Sequence, residues 1–267
     1  MPRLEVPGAS LYYETDGSPG DPALLLIHAG IASLRMWDPQ IATLAADHFV
    51  VRFDERGFGL TDAEPTAFSD HADALAVLDH LGIQRATVIG CSRGGRIAID
   101  LTLESADRVI GLVTIGSGPS GHPDIEETAH EHELYTAIES ATGEDALRLE
   151  ADFWDVGPLR DAAALDQEFV ATARGLNLAN LRHIDEEPET IPLDPPAYGR
   201  LGDIRVPTLV MVGEDDVSVI HPASRSLVER IPAAEEYRFA HAAHIPNVEQ
   251  PAEFERVLTA WLGRHGL

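Results

Sequence analysis

Lysine is absent from this chain of 267 residues, and all 19 of its basic residues are arginines. Without lysine, the chain cannot form a Schiff base with a carbonyl substrate or with pyridoxal phosphate. It also lacks the lysine with which Walker motifs and protein kinases hold nucleotide phosphates. A single cysteine, Cys91, excludes an intramolecular disulfide and any metal site built from several thiolates.

Long apolar runs and positive charge are also scarce. No stretch approaches the roughly 18 apolar residues of a membrane span, and the start, Met1-Pro-Arg-Leu-Glu-Val6, lacks the apolar run of a secretory signal. The chain has 45 Asp and Glu residues and a net charge of −26, which repels nucleic acids and anionic membranes. We therefore expect a cytoplasmic protein that binds neither nucleic acid nor membrane.

Short apolar runs, each bounded by turn residues, dominate what is present. The run Ala23-Leu-Leu-Leu-Ile27 is typical of a strand buried on both faces of a parallel sheet. A hairpin is predicted at residues 3–6 and 10–14, closed at Pro7-Gly8. Further strands are predicted at 48–53, 86–90, 109–115, 208–212 and 236–239, with helices at 38–46, 69–81, 94–105, 222–230 and 252–263. This alternation predicts an α/β fold with a doubly wound, mostly parallel sheet.

The alternation of strands and helices stops between residues 118 and 196. This segment is rich in Glu, Asp and Ala, and helices are predicted at 126–140, 145–154 and 162–173. The helix breakers Glu186-Glu-Pro-Glu189 and Pro195-Pro196 mark its end. We therefore expect a helical insertion at 118–196 in a core made of residues 1–117 and 197–267.

The stretch Gly90-Cys-Ser-Arg-Gly-Gly95 follows a predicted strand and opens a predicted helix. A turn this tight crowds the backbone, and glycines on both sides of Ser92 relieve the crowding. The pattern G-x-S-x-G is typical of a serine whose hydroxyl projects above the sheet at a helix N-terminus. Ser92 is therefore the candidate nucleophile, and a plain Gly/Ser turn is the alternative.

A serine nucleophile needs a histidine base, and the base needs a carboxylate that orients it. The stretch Gly213-Glu-Asp-Asp216 follows one later strand, and His241-Ala-Ala-His244 follows the next. We prefer Asp216 to Asp215 as the acid, because it lies three residues beyond Gly213 at the strand end. We prefer His244 to His241 as the base and interpret His241 as a rim or packing residue. Three strand ends would then present Ser, Asp and His at one edge of the sheet.

The oxyanion of an acyl-transfer intermediate needs two N–H donors. We expect one from the backbone of Arg93, directly after the nucleophile. The other is expected from Gly30, in the loop after the first buried strand, with Ile31 as the neighbouring alternative. Gly30 has a second interpretation, as a glycine that only the turn requires. His28, at the end of that strand, is interpreted as structural.

Together these motifs resemble those of the α/β-hydrolase fold superfamily over nearly the whole chain. The matching stretches are residues 25–30, 54–59, 90–95, 213–216 and 244–251. Within the superfamily the chain is similar to the small, capped, cofactor-free serine hydrolases, which include 3-oxoadipate enol-lactonases, carboxylesterases and cofactor-free haloperoxidases. The resemblance implies a helical cap, a substrate pocket between cap and sheet, and no cofactor.

Two positions depart from the pattern of the superfamily. The stretch His28-Ala-Gly30 stands where many members have His-Gly-x, and Arg93 stands where apolar residues are common. The Arg93 side chain either enters the pocket, where it could bind a substrate carboxylate, or pairs with an acid below the turn.

Several other patterns have a structural interpretation. In Asp54-Glu-Arg-Gly-Phe-Gly59, the third glycine of a nucleotide motif is replaced by Asp62, so we expect a turn in which Arg56 bonds nearby carbonyls or carboxylates. Cys91 is interpreted as a small buried hydrophobe. His130-Glu-His-Glu133 is interpreted as a solvated helix face, because helical residues two apart point about 200° away from each other and cannot chelate one ion. We expect no metal.

The sequence thus predicts a serine hydrolase that cleaves carboxylic esters or lactones of small molecules. The net charge disfavours anionic substrates unless Arg35, Arg56 or Arg93 offsets it locally, so neutral substrates are expected. The same residues could also serve C–C bond hydrolysis, perhydrolysis or amide hydrolysis, and a non-enzymatic receptor on this scaffold is the other functional class. Haloalkane dehalogenases and epoxide hydrolases are excluded, because both need an Asp at position 92.

Two further features of the sequence leave alternatives open. Four large aromatic side chains either line a pocket or pack in the core: Trp37, Phe153, Trp154 and Phe169. The chain is compatible with either a monomer or a homodimer.

Overall fold

The computed structural model describes residues 2–186 and 189–267. In this part of the chain, nine strands form one sheet in the order β1-β2-β4-β3-β6-β7-β8-β9, with β5 beside β2. The strands are β1 Arg3–Val6, β2 Ala9–Asp16, β3 Ala23–Ile27, β4 Phe49–Phe53, β5 Asp62–Ala63, β6 Ala86–Cys91, β7 Val109–Ile115, β8 Thr208–Gly213 and β9 Ala234–Phe239. The predicted strands are therefore all present, with ends shifted by at most two residues.

The sheet is parallel from β4 to β9, and only the N-terminal hairpin and the short β5 pair antiparallel. β3 and β6 are neighbours, but the chain leaves β3 for β4 on one side and β6 for β7 on the other. In an open parallel sheet, such a reversal of strand order creates a crevice outside the carboxyl ends of the two strands. The loops that follow β3 and β6 therefore meet at this crevice.

Helices cover both faces of the sheet. They are α1 Asp38–Leu44, α2 Asp70–His80, α3 Arg93–Glu104, α4 Ala129–Ser140, α5 Glu144–Ala151, α6 Gln167–Leu178, α7 Ile220–Arg230, α8 Pro246–Glu249 and α9 Pro251–His265. Along β3, Leu24 and Leu26 join the core that contains α1 and α9, whereas Leu25 and Ile27 join the core that contains α2, α3 and α7. This alternation of side chains between two cores is what makes each central strand apolar throughout. The predicted doubly wound sheet is confirmed.

No helix among the described residues is both long and apolar enough to cross a membrane. The longest, α9, has 15 residues and buries one face, with Phe254, Leu258 and Trp261 in the core.

The segment 118–196, where we expect a helical insertion, contains α4, α5, α6 and several shorter helical turns. The helix predicted at 162–173 is wrong in its first half: residues Ala162–Ala164 form a 3₁₀ turn, and α6 begins only at Gln167. The reason is local, because the Asp166 carboxylate accepts hydrogen bonds from the N–H groups of Glu168 and Phe169 and so fixes a new helix start. Of the predicted breaker Glu186-Glu-Pro-Glu189, residues 187 and 188 lie outside the described residues.

Candidate active site

Ser92 lies between the end of β6 and the start of α3. Its backbone has φ 52° and ψ −114°, a conformation that a residue with a side chain adopts only under strain. Gly94 permits the turn, because a Cβ at this position would overlap the backbone carbonyls of Ile27 and His28 in the neighbouring β3 segment. The expected strained turn around Ser92 is therefore present in the backbone geometry.

Hydrogen bonds tie the Ser92 backbone to the end of β7. The Ser92 N–H donates to the Ile115 carbonyl at 2.7 Å, and the Ser117 hydroxyl donates to the Ser92 carbonyl at 2.7 Å. Gly116, between Ile115 and Ser117, has φ 53°. The nucleophile candidate is thus fixed against the next strand as well as by its own turn.

Asp216 and His244 lie together at the same edge of the sheet. His244 Nδ1 lies 2.8 Å from Oδ1 and 3.0 Å from Oδ2 of Asp216, and the two side chains are 1% and 0% exposed. A Cβ on Gly116 would come within 3.0 Å of His244 Nδ1 and 3.1 Å of Asp216 Oδ2. The His244–Asp216 pair therefore packs against Gly116, whose neighbours Ile115 and Ser117 bind the Ser92 backbone. The structure thus joins His244 to Asp216 by hydrogen bonds and places this pair beside the segment that binds the Ser92 backbone, but no hydrogen bond joins the Ser92 hydroxyl to His244 among the described residues.

The two alternative residues, Asp215 and His241, lie away from the His244–Asp216 pair. Asp215 is directed toward Arg160, with 3.8 Å between its Oδ2 and the arginine Nε. His241 is exposed and has φ 60°, at the outer turn of the loop after β9.

Gly30 and Arg93 face each other across the crevice between β3 and β6. A Cβ on Gly30 would lie 3.5 Å from Arg93 Cδ and 3.6 Å from Arg93 Cβ. Arg93 is the first residue of α3, so its N–H has no acceptor within the helix. These positions suit two donors directed at one oxyanion.

The side chain of Arg93 forms ion pairs at the side of the turn. Its Nε donates to Glu55 Oε2 and its Nη2 to Asp70 Oδ1, each at 2.7 Å. Burial raises the pKa of Asp70 to about 6 although the Arg93 charge opposes that shift. Of the two alternatives for Arg93, pairing with acids is therefore the one present.

Other predicted structural residues have defined partners. Arg56 binds Asp73 through Nε at 2.7 Å and Nη2 at 2.9 Å, as expected for a scaffold turn. His28 is buried, and its Nε2 accepts the Glu55 N–H at 3.0 Å. Cys91 is buried in the core. His130 and His132 bind different groups, the Pro158 carbonyl and the Glu127 carboxylate.

Glu131 contradicts the prediction of a solvated face at 130–133. Its side chain is buried and forms a capping box with Thr128, and it also accepts hydrogen bonds from the N–H and hydroxyl of Ser218. Burial raises the pKa of Glu131, but the hydrogen bonds from Ser218 and Thr128 outweigh burial and leave it below its usual value. Because Ser218 lies two residues after Asp216, Glu131 holds the loop of the candidate acid. The spacing T-x-x-E at 128–131 is a sequence signal that could have indicated this cap.

Trp154 and Asp155 belong to a π-helical turn, Asp152–Val156, that reaches the site from the insertion. The Trp154 ring lies 4.8 Å from the His244 ring, centroid to centroid. Trp154 thus contacts the candidate base, and it also packs against two apolar clusters. Asp155 is buried without a hydrogen-bond partner among the described residues, and burial, reinforced by the nearby Asp216 charge, raises its pKa well above the usual value. No sequence signal distinguishes this aspartate from its neighbours.

An open groove of about 340 Å³ leads away from Ser92 along the N-terminal turn of α3. Its other wall is the segment 116–122, which follows β7. The groove is large enough for a small organic molecule, and Ser92 lies in its wall.

Comparisons with known proteins find relatives of nearly the whole chain. The sequence model of the family described as the alpha/beta hydrolase fold matches residues 22–251. The RutD protein of Azorhizobium caulinodans, named as a carbamate hydrolase, is 30% identical over an alignment of 276 positions that covers 98% of each chain. The 2-hydroxy-6-oxononadienedioate/2-hydroxy-6-oxononatrienedioate hydrolase of Burkholderia vietnamiensis is 28% identical and covers 95% of this chain and 91% of its own.

A solved structure is similar over almost the same length. Est816, described as an N-acyl homoserine lactone degrading enzyme, superposes with a TM-score of 0.75 at 26% identity, over 97% of this chain and 99% of its own.

Proposed function

The chain belongs to the α/β-hydrolase family and is a hydrolase, and we propose that it cleaves carboxylic esters or lactones through an acyl-enzyme on Ser92. The observation that carries the proposal is the buried hydrogen bond between His244 and Asp216 beside a serine in a strained turn. A buried carboxylate on Nδ1 leaves Nε2 of a neutral imidazole as the acceptor for a proton.

The proposed reaction has two halves. His244 Nε2 takes the Ser92 proton while Oγ attacks the carbonyl carbon, and the oxyanion accepts hydrogen bonds from the Gly30 and Arg93 N–H groups. The tetrahedral intermediate then collapses, the C–O bond to the leaving alkoxide breaks, and His244 gives that alkoxide its proton. Water repeats the sequence on the acyl-enzyme and releases the acid and the free serine. In a lactone, the alkoxide and the acyl group belong to the same product molecule.

Asp216 has a positioning and electrostatic role in this scheme. Its carboxylate holds the imidazole in the orientation that faces Ser92 and stabilises the imidazolium that forms in each half-reaction. The scheme uses no cofactor and no amine, so the absence of lysine does not impair it.

The insertion at 118–196 is the proposed cap. Its π-helical turn covers His244 through Trp154, and Glu131 on α4 binds the loop after Asp216. We also propose a cytoplasmic enzyme with small-molecule partners only, in line with its acidic charge.

C–C bond hydrolysis and carbamate hydrolysis are the alternatives that specific observations favour. Relatives at 28% and 30% identity are named for these reactions. All three reactions would use the same proposed serine, base and oxyanion donors. A panel of 4-nitrophenyl esters, lactones, carbamates and a vinylogous diketone, assayed with one enzyme preparation, ranks them.

A fluorophosphonate probe tests the proposed nucleophile. Mass spectrometry of the labelled protein should find one adduct, on the peptide that contains Ser92. The variant His244→Ala should react much more slowly, whereas His241→Ala should label at the rate of the unaltered protein. An adduct on another residue, or no adduct on protein that hydrolyses esters, would count against the proposal.

A further inference from the structure

The lining of the groove beside Ser92 differs in composition from the acidic chain as a whole. Its lining contains two arginines and a histidine, Arg93, Arg96 and His122, and no Asp or Glu side chain. The whole sequence has 45 acidic residues against 19 arginines. Carboxylates are thus excluded from this wall although they outnumber basic groups more than twofold elsewhere.

Arg93 and Arg96 differ in what neutralises them. The Arg93 guanidinium is bound by the carboxylates of Glu55 and Asp70. The half-buried Arg96 side chain forms no ion pair or hydrogen bond with any residue of 2–186 or 189–267. Asp70 and Asp100 line a small cavity together with Arg96 and feel its charge, but neither is bonded to it. The hydrogen-bond donors of Arg96 therefore have no bonded partner among the described residues.

Helix geometry brings Arg96 toward the nucleophile. The Arg96 N–H donates to the Ser92 carbonyl at 3.1 Å, so the two residues are one helical turn apart on the same side of α3. Side chains of a helix lean toward its N-terminus, which in α3 is the end at Ser92. Arg96 thus lies in the wall of the groove into which a substrate bound at Ser92 would extend.

We propose that Arg96 binds a carboxylate of the substrate, so that the preferred esters or lactones carry an anionic group away from the scissile carbonyl. This inference rests on the proposed function. A single planar guanidinium matches one carboxylate in charge and in its two-pronged geometry. The expectation of neutral substrates rested on the charge of the whole chain. Three arginines are expected as local offsets of that charge, namely Arg35, Arg56 and Arg93. In the structure, each of them is paired with an acidic side chain.

Two esters that differ only in charge test the proposal. They are mono-4-nitrophenyl glutarate, whose distal carboxylate is free, and its methyl ester, which is neutral. We expect Arg96→Gln to lower kcat/KM for the anionic ester by about 10- to 100-fold, the range of a lost charge-assisted hydrogen bond. For the neutral ester the change should be less than about threefold, because that substrate lacks the group which Arg96 would bind.

Arg225→Gln is the matched control, because Arg225 is exposed on α7 outside the lining of the groove and its substitution removes the same charge. It should leave kcat/KM for both esters nearly unchanged. An equal loss for both esters in Arg96→Gln would overturn the proposal, as would an equal loss for the anionic ester in the two variants.

Glutarate binding separates failure of this inference from failure of the proposed function. If neither ester is hydrolysed, the proposed function fails. Calorimetric titration of the protein with glutarate still tests whether Arg96 binds a carboxylate. Binding to the unaltered protein and to Arg225→Gln, but tenfold weaker or absent in Arg96→Gln, supports the carboxylate site. No binding to the unaltered protein overturns it.

Discussion

The sheet edge that carries the proposed catalytic residues and the insertion at 118–196 are built differently. β3, β6 and β8 are buried along their whole length. The large apolar side chains that remain exposed among the described residues all lie in the insertion: Tyr135, Leu159, Leu178, Ile184 and Ile191. A close-packed sheet edge can hold reacting groups in a narrow geometry. An insertion with exposed apolar side chains can change in sequence without disturbing those groups.

The two regions meet at the loops that carry Asp216 and His244. Arg160 of the insertion pairs with Glu249, and that carboxylate accepts the Ala243 N–H at 3.0 Å, next to His244. Glu131 binds the loop after Asp216 from the other side. The comparison therefore predicts large effects for changes at the sheet edge, intermediate effects at these junctions and small effects where the insertion only covers the core.

Asp216→Asn should have the largest effect among the changes that sharpen this comparison. We expect kcat for a neutral 4-nitrophenyl ester to fall by about 10³- to 10⁴-fold, because an amide neither stabilises the imidazolium nor holds the correct tautomer. Asp215→Asn, one residue away and directed at Arg160, should change kcat less than about threefold. Similar losses in the two variants would mean that the acid is misassigned.

Glu131→Ala should have an intermediate effect at the junction. Releasing the loop after Asp216 should lower kcat about tenfold with little change in KM, since Glu131 does not line the groove. Glu131→Gln, which can still accept a hydrogen bond from the Ser218 N–H, should restore part of kcat. Glu133→Ala is the control, because Glu133 is exposed on the same helix. A fall in thermal stability with unchanged kcat would mean that Glu131 acts only as a structural cap.

Asp100→Asn should have the smallest effect. Asp100 lies on α3, where the insertion covers this helix. Burial raises the pKa of Asp100 to about 6, and residues 190–193 of the insertion line the same small cavity. Between about pH 4 and pH 6, the folded chain therefore binds more protons at this carboxyl than the unfolded chain does, so its contribution to stability falls as pH rises. At pH 8, Asp100→Asn should be more stable by about 1 kcal/mol, which raises Tm by roughly 2–4 °C.

At pH 4, where the carboxyl is protonated in the fold, the difference in Tm should nearly vanish. Calorimetric melting at both pH values measures it. Asp145→Asn, an exposed change on α5, should show no such dependence, and a gain in Tm that is equal at both pH values would contradict the account.

The sheet edge could be predicted from the sequence because its signals are local. A strand end and a chemically reactive residue occur within a few positions at Ser92, Asp216 and His244, and glycines accompany the first two. Each signal places its residue at the carboxyl end of a parallel strand. The fold then brings these ends together without any further information from the sequence.

The remaining features depend on residues that are distant in the chain. Arg93 finds Glu55 and Asp70 only after folding, Trp154 meets His244 from 90 positions away, and Glu131 reaches Ser218 across 87. Such pairs leave no periodic pattern in the sequence. The net charge was similarly uninformative about the groove, because an average over the chain says nothing about one wall.

The most direct test of the central claim is the turnover of a neutral 4-nitrophenyl ester by Ser92→Ala. We predict that kcat/KM falls by several orders of magnitude while the circular dichroism spectrum and Tm stay close to those of the unaltered protein. Ser140→Ala, at an exposed serine of the insertion, should retain full activity. Hydrolysis that survives largely intact in Ser92→Ala would contradict the assignment of the nucleophile and the proposed acyl-enzyme.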